Sequence, residues 1–323
     1  MSANDLNMAL QSAEIRHSFD KKSRLYAKNC SLQSEVAKIL VDFCGDFSGV
    51  KKIIDLGAGS GNVALNLAQF LGKSGICVND FIALDLSANM LSLHPRKFPH
   101  ITQIHLIECD FESYNFSDDF DLILSSSALQ WAKDLDSFFK KMRDCFESRR
   151  ESSVDSCKSK YSPSLADFIP RPKSLPQGEG LIFDSPSIAE GNTQTLPLPC
   201  GGGLRGWVDS RKSKSDSQYL RKSKKFAFAI FTAESLSELH DFLGTTSPLK
   251  SSTEILSIAQ KYFCVDFQIK RFTREFSTRD ELLGYLKNSA LLGGGNIAFK
   301  DKKRLKCAFP HKTLNFEVLF IKN

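Results

Sequence analysis

Strand-like and helix-like segments alternate along residues 34–146, and this alternation constrains the fold more than any other feature of the sequence. Each short apolar run, typical of a buried strand, is followed by a stretch in which apolar residues recur with helical spacing. Such alternation favours a doubly wound α/β fold, in which a mostly parallel sheet carries helices on both faces. In this part of the chain we predict strands at 51–57, 81–86, 101–110 and 121–126, and helices at 62–71, 87–93 and 134–146.

The alternating pattern stops at residue 148 and resumes at residue 224. Residues 148–222 are rich in Ser, Pro, Gly, Lys and Arg and show no hydrophobic periodicity, which is typical of a disordered insertion. The segment 148–225 holds 14 Lys and Arg against 8 Asp and Glu, an excess that equals the net charge of +6 of the whole chain. We therefore predict a single domain made of residues 1–147 and 223–323, interrupted by the insertion 148–222.

After the insertion, further apolar runs and helical patterns complete the predicted domain. The strand predictions here are 224–232, 264–276 and 314–321, which bring the predicted sheet to seven strands, and the helix predictions are 233–243, 251–263 and 278–291. In the last of these helices, Thr278 and Glu281 have the spacing of a capping box.

The segment 53–62, IIDLGAGSGN, joins a predicted strand to a predicted helix, as a nucleotide-binding glycine loop requires. Gly57, Gly59 and Gly61 have the spacing G-x-G-x-G, whereas a dinucleotide fingerprint has its third glycine one position later. Asp55 would repel a pyrophosphate, but it suits a ligand with an ammonium or sulfonium group whose carboxylate can accept from helix amides. S-adenosylmethionine meets both needs; the alternative is a turn with purely structural glycines.

The second and third predicted strands also end in acidic residues. Asp85 can accept from both ribose hydroxyls of an adenosine. The alternative role for Asp85, a helix cap, is better filled by Ser87. Asp110 can accept from the adenine amine with Phe111 beside it, and the alternative is an Asx turn.

The fourth predicted strand ends in three serines and is soon followed by an amide and a tryptophan. Small side chains at Ser125, Ser126 and Ser127 would let backbone carbonyls approach a ligand ammonium at the edge where doubly wound sheets bind ligands. Gln130 and Trp131 would face the reactive end of that ligand, where an indole can cover a methyl donor and exclude water. The alternative is that Trp131 packs in the core.

Taken together, these residues resemble class I S-adenosylmethionine-dependent methyltransferases, and more narrowly the malonyl-acyl-carrier-protein O-methyltransferases of biotin synthesis. The similar segments are DLGAGSG, ALDLSANML, FDLILSSSALQW, FTAESLSELH, LGYLKNSALLGGGN and LNFEVLFI, with an N-terminal segment containing Phe19, Tyr26, Leu32 and Gln33. The resemblance covers 15–146 and 224–321. It departs from the family at the insertion, at Ala58, where many members have Cys, and at Ser126, where Asn is common.

The resemblance implies a Rossmann-like methyltransferase domain with an N-terminal lid segment and with S-adenosylmethionine as cofactor. The predicted cofactor-binding set is Tyr26, Asp55, Gly57, Ala58, Gly59, Gly61, Asp85, Leu86, Asp110, Phe111 and Ser126. The predicted acceptor-side set is Phe19, Gln130, Trp131 and Lys287. Tyr26 is also a candidate for the acceptor side, and Lys287 has the alternative of a solvated helix lysine.

The reaction that the resemblance implies is methylation of the free carboxylate of a malonyl thioester carried by acyl carrier protein. A carboxyl group with a pKa near ~4 is ionised at pH 7, so the acceptor is already nucleophilic and needs no general base. The sequence contains no evident Ser-His-Asp or Cys-His array, which agrees with such chemistry. Acyl carrier proteins are acidic, and the basic segment 148–225 is a candidate docking surface; its alternative is a solvated loop.

Composition and spacing argue against several other classes. The nine cysteines form no C-x-x-C pair, which argues against zinc and against a disulfide framework and favours a reducing cytoplasm. No apolar run approaches the ~20 residues of a membrane span. We therefore expect a cytoplasmic monomer without a metal, membrane or nucleic-acid partner. The open alternatives are a methyltransferase for another small carboxylic acid, a nucleotide-binding dehydrogenase and a nucleic-acid-binding module.

Overall fold

The computed structural model describes residues 30–116, 120–147, 224–288 and 299–323, and helical positions 13, 15–17, 19–21 and 23. The strands are β1 (Lys52–Leu56), β2 (Val78–Asp85), β3 (Ile101–Glu108), β4 (Leu122–Ser126), β5 (Lys225–Phe231), β6 (Asp266–Glu275) and β7 (Thr313–Lys322). The helices are α1 (Ser31–Cys44), α2 (Asn62–Ser74), α3 (Ala88–Ser92), α4 (Leu135–Glu147), α5 (Ser237–Leu243), α6 (Ser252–Gln260), α7 (Arg279–Asn288) and α8 (Phe299–Ala308), with a 3-10 turn at Leu129–Trp131. The predicted insertion 148–222 lies outside the described residues.

Seven strands form one sheet in the order β3-β2-β1-β4-β5-β7-β6. Strands β1 to β5 pair in parallel, and β7 runs antiparallel to both of its neighbours. The predicted seven-stranded, mostly parallel, doubly wound sheet is therefore confirmed. β4 and β5 are direct neighbours, with Leu122 opposite Lys225. The segment 148–222 thus interrupts the chain between two strands that still pair in register.

The central strands are apolar on both faces because helices cover both faces of the sheet. In β1, Ile53 packs in a cluster with α1 and α2, and the next residue, Ile54, packs in a second cluster with α4 and α6. In β5, Ala227 and Phe228 divide between the same two clusters. Burial on both faces explains why these strands appear in the sequence as continuous apolar runs.

Side-chain caps define the ends of two helices near the predicted positions. The Ser87 side chain accepts from the Met90 N–H at the start of α3, as predicted. The capping box predicted for α7 is only half present. The Thr278 hydroxyl accepts from the Glu281 N–H (3.2 Å), but the Glu281 carboxylate accepts from the Ser277 N–H (2.9 Å).

Two helices differ from the predictions for local reasons. α5 begins at Ser237 instead of residue 233, because residues 233–236 form turns and Leu236 has a φ of 60°, outside the helical region. The sequence pattern predicts no helix at α8, half of whose ten residues are basic. That helix is anchored by few apolar side chains, chiefly Leu305, with Phe309 buried just beyond its end.

The antiparallel strand β7 determines which end of β6 stands beside the carboxyl ends of the parallel strands. Phe231, at the end of β5, lies opposite Val318, and Thr313, at the start of β7, lies opposite Glu275 at the end of β6. The last residues of β6 therefore stand at the same edge of the sheet as the carboxyl ends of β1 to β5. In doubly wound sheets, ligands bind beyond that edge.

Candidate active site

A cleft opens beyond the carboxyl ends of β1, β2, β3 and β4. Its empty volume, counting space open to solvent, is ≈ 860 Å³, which suits a cofactor-sized ligand. The predicted site residues that line it are Phe19, Gly57, Ala58, Gly59, Asp85, Leu86, Asp110, Phe111, Ser126 and Trp131. The structure therefore brings together residues from four strand ends and from the N-terminal segment. Asp55, Gly61 and Gln130 are described but do not line the cleft.

The glycine loop after β1 needs glycines because of both conformation and crowding. Gly57, Gly59 and Gly61 all have positive φ, at 67°, 55° and 92°, a region that residues with a Cβ atom adopt only with strain. A Cβ on Gly57 would lie 2.2 Å from the Cβ of Ala128. A Cβ on Gly61 would lie 3.0 Å from the His94 ring. Gly61 therefore packs closely against His94 below the loop, and it does not line the cleft.

Asp55 is a buried carboxylate that no described residue pairs with. It is fully buried, and neither of its oxygens has a hydrogen-bond partner among the described residues. Burial raises the pKa of Asp55 well above its usual value, and the nearby Asp85 raises it further. Because an unpaired buried charge is costly, Asp55 favours the protonated form until a cation or a hydrogen-bond donor offsets its charge.

Asp85 connects the glycine loop to the end of β2. Its Oδ2 accepts from the Gly59 N–H and its Oδ1 accepts from the Ser87 N–H, both at 2.8 Å. Burial raises the pKa of Asp85 to about 6, although these two N–H groups lower it. Each carboxylate oxygen can accept a further hydrogen bond. Asp85 therefore lines the cleft in a fixed orientation and can still accept from a ligand hydroxyl.

At the end of β3, Asp110 already has protein partners. Its Oδ1 accepts from the Glu112 N–H (3.0 Å), so the Asx turn considered as the alternative is present. Its Oδ2 forms an ion pair with the Lys133 ammonium at 2.8 Å, and both side chains are less than one-fifth exposed. Lys133 also lies 3.8 Å from Glu112. Lys133 was not predicted, because its partner lies 23 positions away and only the fold joins them.

The end of β4 has an unusual backbone. The Ser125 hydroxyl is buried and donates to the Leu56 carbonyl (2.8 Å), which ties β4 to β1. Ser127 has a φ of 61°, a left-handed conformation that costs a residue with a Cβ about 1–2 kcal/mol. The Gln130 amide donates to the Ser127 carbonyl (2.7 Å), which holds this turn in place. Such strained positions cluster at functional sites.

Of the two residues predicted after this strand, Trp131 reaches the cleft and Gln130 does not. Trp131 ends the 3-10 turn, is half-buried and lines the cleft, so it is not a core residue. Gln130 supports the turn, and its Oε1 is buried without a hydrogen-bond partner among the described residues. Tyr26 lies outside the described residues, and Lys287 lies in α7 with its side chain outside them.

Gln33 is a cleft residue to which the sequence analysis assigns no role. It lies in the first turn of α1, is 3% exposed and lines the cleft. Its Oε1 is buried without a hydrogen-bond partner among the described residues. The available signal was a buried polar residue among the apolar positions of α1. Gln33 and Asp55 thus supply two buried acceptors in or below the cleft to which no described residue donates.

Among the described residues, no group of three or more His, Cys, Asp or Glu side chains is placed to hold a metal ion. Within the same part of the chain, every helix is too short or too polar to cross a membrane.

Comparison with known proteins decides the class of this domain. Residues 53–148 match the family model described as a methyltransferase domain. This segment is a methyltransferase domain. The curated malonyl-[acyl-carrier protein] O-methyltransferase of Halorhodospira halophila is 30% identical over 131 residues, which are 40% of this chain and 43% of that protein. Its namesake from Xylella fastidiosa is 29% identical over 142 residues, 43% of this chain and 46% of that protein. The matched region spans less than half the length of these relatives.

Two solved structures align with most of this chain. YcgJ from Bacillus subtilis has a TM-score of 0.47 at 11% identity and covers 89% of this chain and 97% of its own. Phosphoethanolamine N-methyltransferase 2 of Haemonchus contortus, solved with S-adenosyl-L-methionine, has a TM-score of 0.45 at 13% identity, with 95% and 59% covered.

The resemblance inferred from the sequence is confirmed by these relatives, as are the methyltransferase class of the domain and S-adenosylmethionine as its cofactor. The residues present fit such a cofactor. Asp55 and Gln33 offer buried acceptor oxygens that receive no hydrogen bond from the part of the chain that the structure describes, which suits a cation with N–H groups. The glycine loop has no room for a side chain at Gly57, so the backbone of this residue can lie close to a ligand.

Proposed function

We propose that the protein is a carboxyl O-methyltransferase that converts malonyl-acyl carrier protein to its methyl ester in the pimeloyl branch of biotin synthesis. The observation that carries this proposal is the chemistry of the cleft. Its described lining contains acids, one paired lysine, small polar residues and three aromatic side chains, but no histidine or cysteine that could act as a base. An acceptor that is already ionised, such as a malonyl carboxylate, needs no base.

In the proposed complex, S-adenosylmethionine supplies an electrophilic methyl group on a sulfonium. Asp85 accepts from the ribose hydroxyls through the lone pairs that the Gly59 and Ser87 amides leave free. The buried acceptor of Gln33 and the charge of Asp55 stabilise the cationic end of the ligand. Phe111 packs against the adenine, and its ring is fixed by edge-to-face contact with Phe138 at 5.8 Å.

On the acceptor side, Phe19 and Trp131 form apolar walls that exclude water from the reacting atoms. S-adenosylmethionine would supply the electrophilic methyl group there, and these two side chains would hold the acceptor carboxylate beside it. Orientation of two bound reactants can supply about 7–11 kcal/mol of the barrier reduction. Removing water also strips the carboxylate of hydration that would weaken it as a nucleophile. The product is a neutral ester, which behaves as an apolar acyl chain.

The proposal is tested by intact-protein mass spectrometry of malonyl-acyl carrier protein incubated with this protein and S-adenosylmethionine. We expect the gain of one methyl group, which an esterase removes. Acetyl-acyl carrier protein, which has no free carboxylate, is the matched control and stays unmodified. Free malonate, aconitate and malonyl-coenzyme A are run in parallel. Methylation of a free acid but not of the carrier-bound thioester would replace our proposal with the small-acid alternative.

The acidic carrier protein needs a basic docking surface, and we propose the segment 148–225 for this role because it holds the net positive charge of the chain. Deleting residues 150–221 should then raise the KM for malonyl-acyl carrier protein and weaken its salt dependence. The KM for S-adenosylmethionine should not change. An unchanged affinity for the carrier protein would contradict docking and favour a solvated loop. A cytoplasmic monomer remains part of the proposal.

A further inference from the structure

Lys133 is the one cation among the described residues that line the cleft, and its partner, Asp110, lines the cleft as well. The Lys133 ammonium donates to the Asp110 Oδ2 at 2.8 Å, and the two side chains are only 16% and 19% exposed. An ammonium has three N–H donors, and each carboxylate oxygen has two lone pairs. The two groups can therefore bind each other and still offer a donor and an acceptor to a ligand in the cleft.

Backbone contacts fix the position of this pair. The Glu112 carboxylate accepts from the Lys133 N–H (3.2 Å) and from the Asp134 N–H (3.0 Å), which ties the turn after β4 to the end of β3. On the other side, the Asp110 Oδ1 accepts from the Glu112 N–H at 3.0 Å. The Lys133 donor and the Asp110 acceptor therefore stand side by side on a backbone that is held in place.

A donor beside an acceptor is the complement of one edge of adenine. The exocyclic amine of adenine is a donor, and the ring nitrogen on either side of it is an acceptor. A donor and an acceptor that lie 2.8 Å apart can bind both groups at once, as a paired base or an amide side chain does. A base with a carbonyl in place of the amine, such as hypoxanthine, would instead set an acceptor against the Asp110 carboxylate.

The order of the strands brings the pair to the end of the cleft where the adenine of the cofactor is expected. The glycine loop follows β1, Asp85 ends β2 and Asp110 follows β3, and these three strands lie side by side. With the amino-acid end of the ligand at the glycine loop and its ribose on Asp85, the base lies towards β3. Phe111 lines the cleft there as well, so its ring can cover the face of the base while the pair binds its edge.

We propose that Lys133 is a specificity-determining residue for the cofactor: its ammonium donates to the adenine ring nitrogen beside the exocyclic amine, while Asp110 accepts from that amine. This inference rests on the proposed binding of the ribose by Asp85, and it does not depend on the identity of the methyl acceptor. The selectivity comes from the two groups together. An ammonium alone would also bind a carbonyl oxygen, and a carboxylate alone would not detect the ring nitrogen.

Calorimetry with S-adenosylhomocysteine and three analogues tests the proposal without a methyl acceptor. The analogues lack N1 (1-deaza), lack N7 (7-deaza) or carry hypoxanthine (S-inosylhomocysteine). The wild type should bind S-inosylhomocysteine and one of the two deaza analogues about 10- to 100-fold more weakly than S-adenosylhomocysteine, since each lacks a charge-assisted hydrogen bond. In Lys133→Met, the affinity for S-adenosylhomocysteine should fall by a similar factor, and the discrimination against that deaza analogue should disappear.

Lys141→Met is the matched control. Lys141, on α4, donates to the Glu112 carbonyl at 2.9 Å and does not line the cleft, so its loss loosens the same segment without removing a donor from the cleft. This variant should keep the wild-type discrimination. Equal losses of discrimination in Lys133→Met and Lys141→Met would overturn the inference, because they would show that Lys133 only holds the segment in place.

Two further outcomes would contradict the role of Lys133. Discrimination against the deaza analogue that persists in Lys133→Met would assign the ring nitrogen to another donor, such as a backbone N–H. Equal affinity of the wild type for S-adenosylhomocysteine and both deaza analogues would refute the inference without any variant, so the test holds even if Lys133→Met is unstable. A wild type that binds none of the four ligands would refute the cofactor placement itself, and the inference with it.

Discussion

Replacing Gly57 with alanine tests whether the glycine loop is set by crowding as well as by backbone conformation. Alanine at a φ of 67° costs about 1–2 kcal/mol. Its Cβ would also lie 2.2 Å from the Cβ of Ala128, which is too close for two carbon atoms that are not bonded to each other. Overpacking of this kind costs about 1–3 kcal/mol. The two effects together should lower the free energy of unfolding by about 2–5 kcal/mol.

Two other glycines separate these contributions. Gly75 has a similar φ of 69° but open space around its Cβ position, so Gly75→Ala should lose only about 1–2 kcal/mol. Gly284 lies within α7, also with open space. Gly284→Ala should gain about 0.5–1 kcal/mol, because alanine favours helix.

Urea denaturation measures the free energy of unfolding of the three variants, and the values are compared at equal m-values. Calorimetry should show that S-adenosylmethionine affinity falls in Gly57→Ala alone. The reasoning is refuted if Gly57→Ala loses no more stability than Gly75→Ala, because the approach of Ala128 would then impose no constraint.

Three further changes have defined outcomes. Because the pKa of Asp85 is raised to about 6, the ligand-free protein should lose stability as the pH rises from about 4 to about 6. Over the same titration, S-adenosylmethionine affinity should rise up to about tenfold between pH 5 and pH 7. Calorimetry should find this step lost in Asp85→Asn and retained in Asp80→Asn on the same strand. Lys133→Met should lower the free energy of unfolding by about 1–3 kcal/mol in urea, since it removes the ammonium that forms the ion pair with the partly buried Asp110. Adding Asp110→Asn should recover part of that loss, and strictly additive losses would argue against the ion pair. Ser251→Ala removes the cap of α6 and should lower the free energy of unfolding by about 0.5–2 kcal/mol, with cofactor affinity unchanged.

The sheet was predictable because its central strands are bounded apolar runs that alternate with helical periodicity. The prediction failed where local signals compete with packing. β2 begins at Val78 rather than residue 81, since Asn79 and Asp80 interrupt its apolar pattern. α8 was not predicted because half of its residues are basic and, among its described side chains, only Leu305 is buried.

Many of the residues that line the cleft could be found from the sequence because they lie at or just after the ends of strands. Asp85 ends β2 and Trp131 lies in the turn after β4, and both line the cleft. Their roles in binding stay predictions. Gln33 and Lys133 line the cleft but were not predicted as site residues. Their positions depend on contacts between separate parts of the chain, such as the ion pair that joins Lys133 to Asp110 across 23 positions. Spacing within a motif carries no signal for such contacts.

The direct pairing of β4 with β5 has a consequence for how the chain finds its fold. α4 ends at Glu147 and β5 begins at Lys225, so a central strand pair must form across a very long connection. Relative to a turn of about five residues, the closure entropy rises by roughly 2–2.5 kcal/mol, because each doubling of length costs only about 0.6 kcal/mol. The sheet core can offset that penalty, although a non-local pairing of this kind slows folding. A cut within 148–222 would divide the protein into an N-terminal fragment that ends its sheet at β4 and a C-terminal fragment that begins with β5. These two matching edges make the protein a natural candidate for reassembly from separately expressed halves.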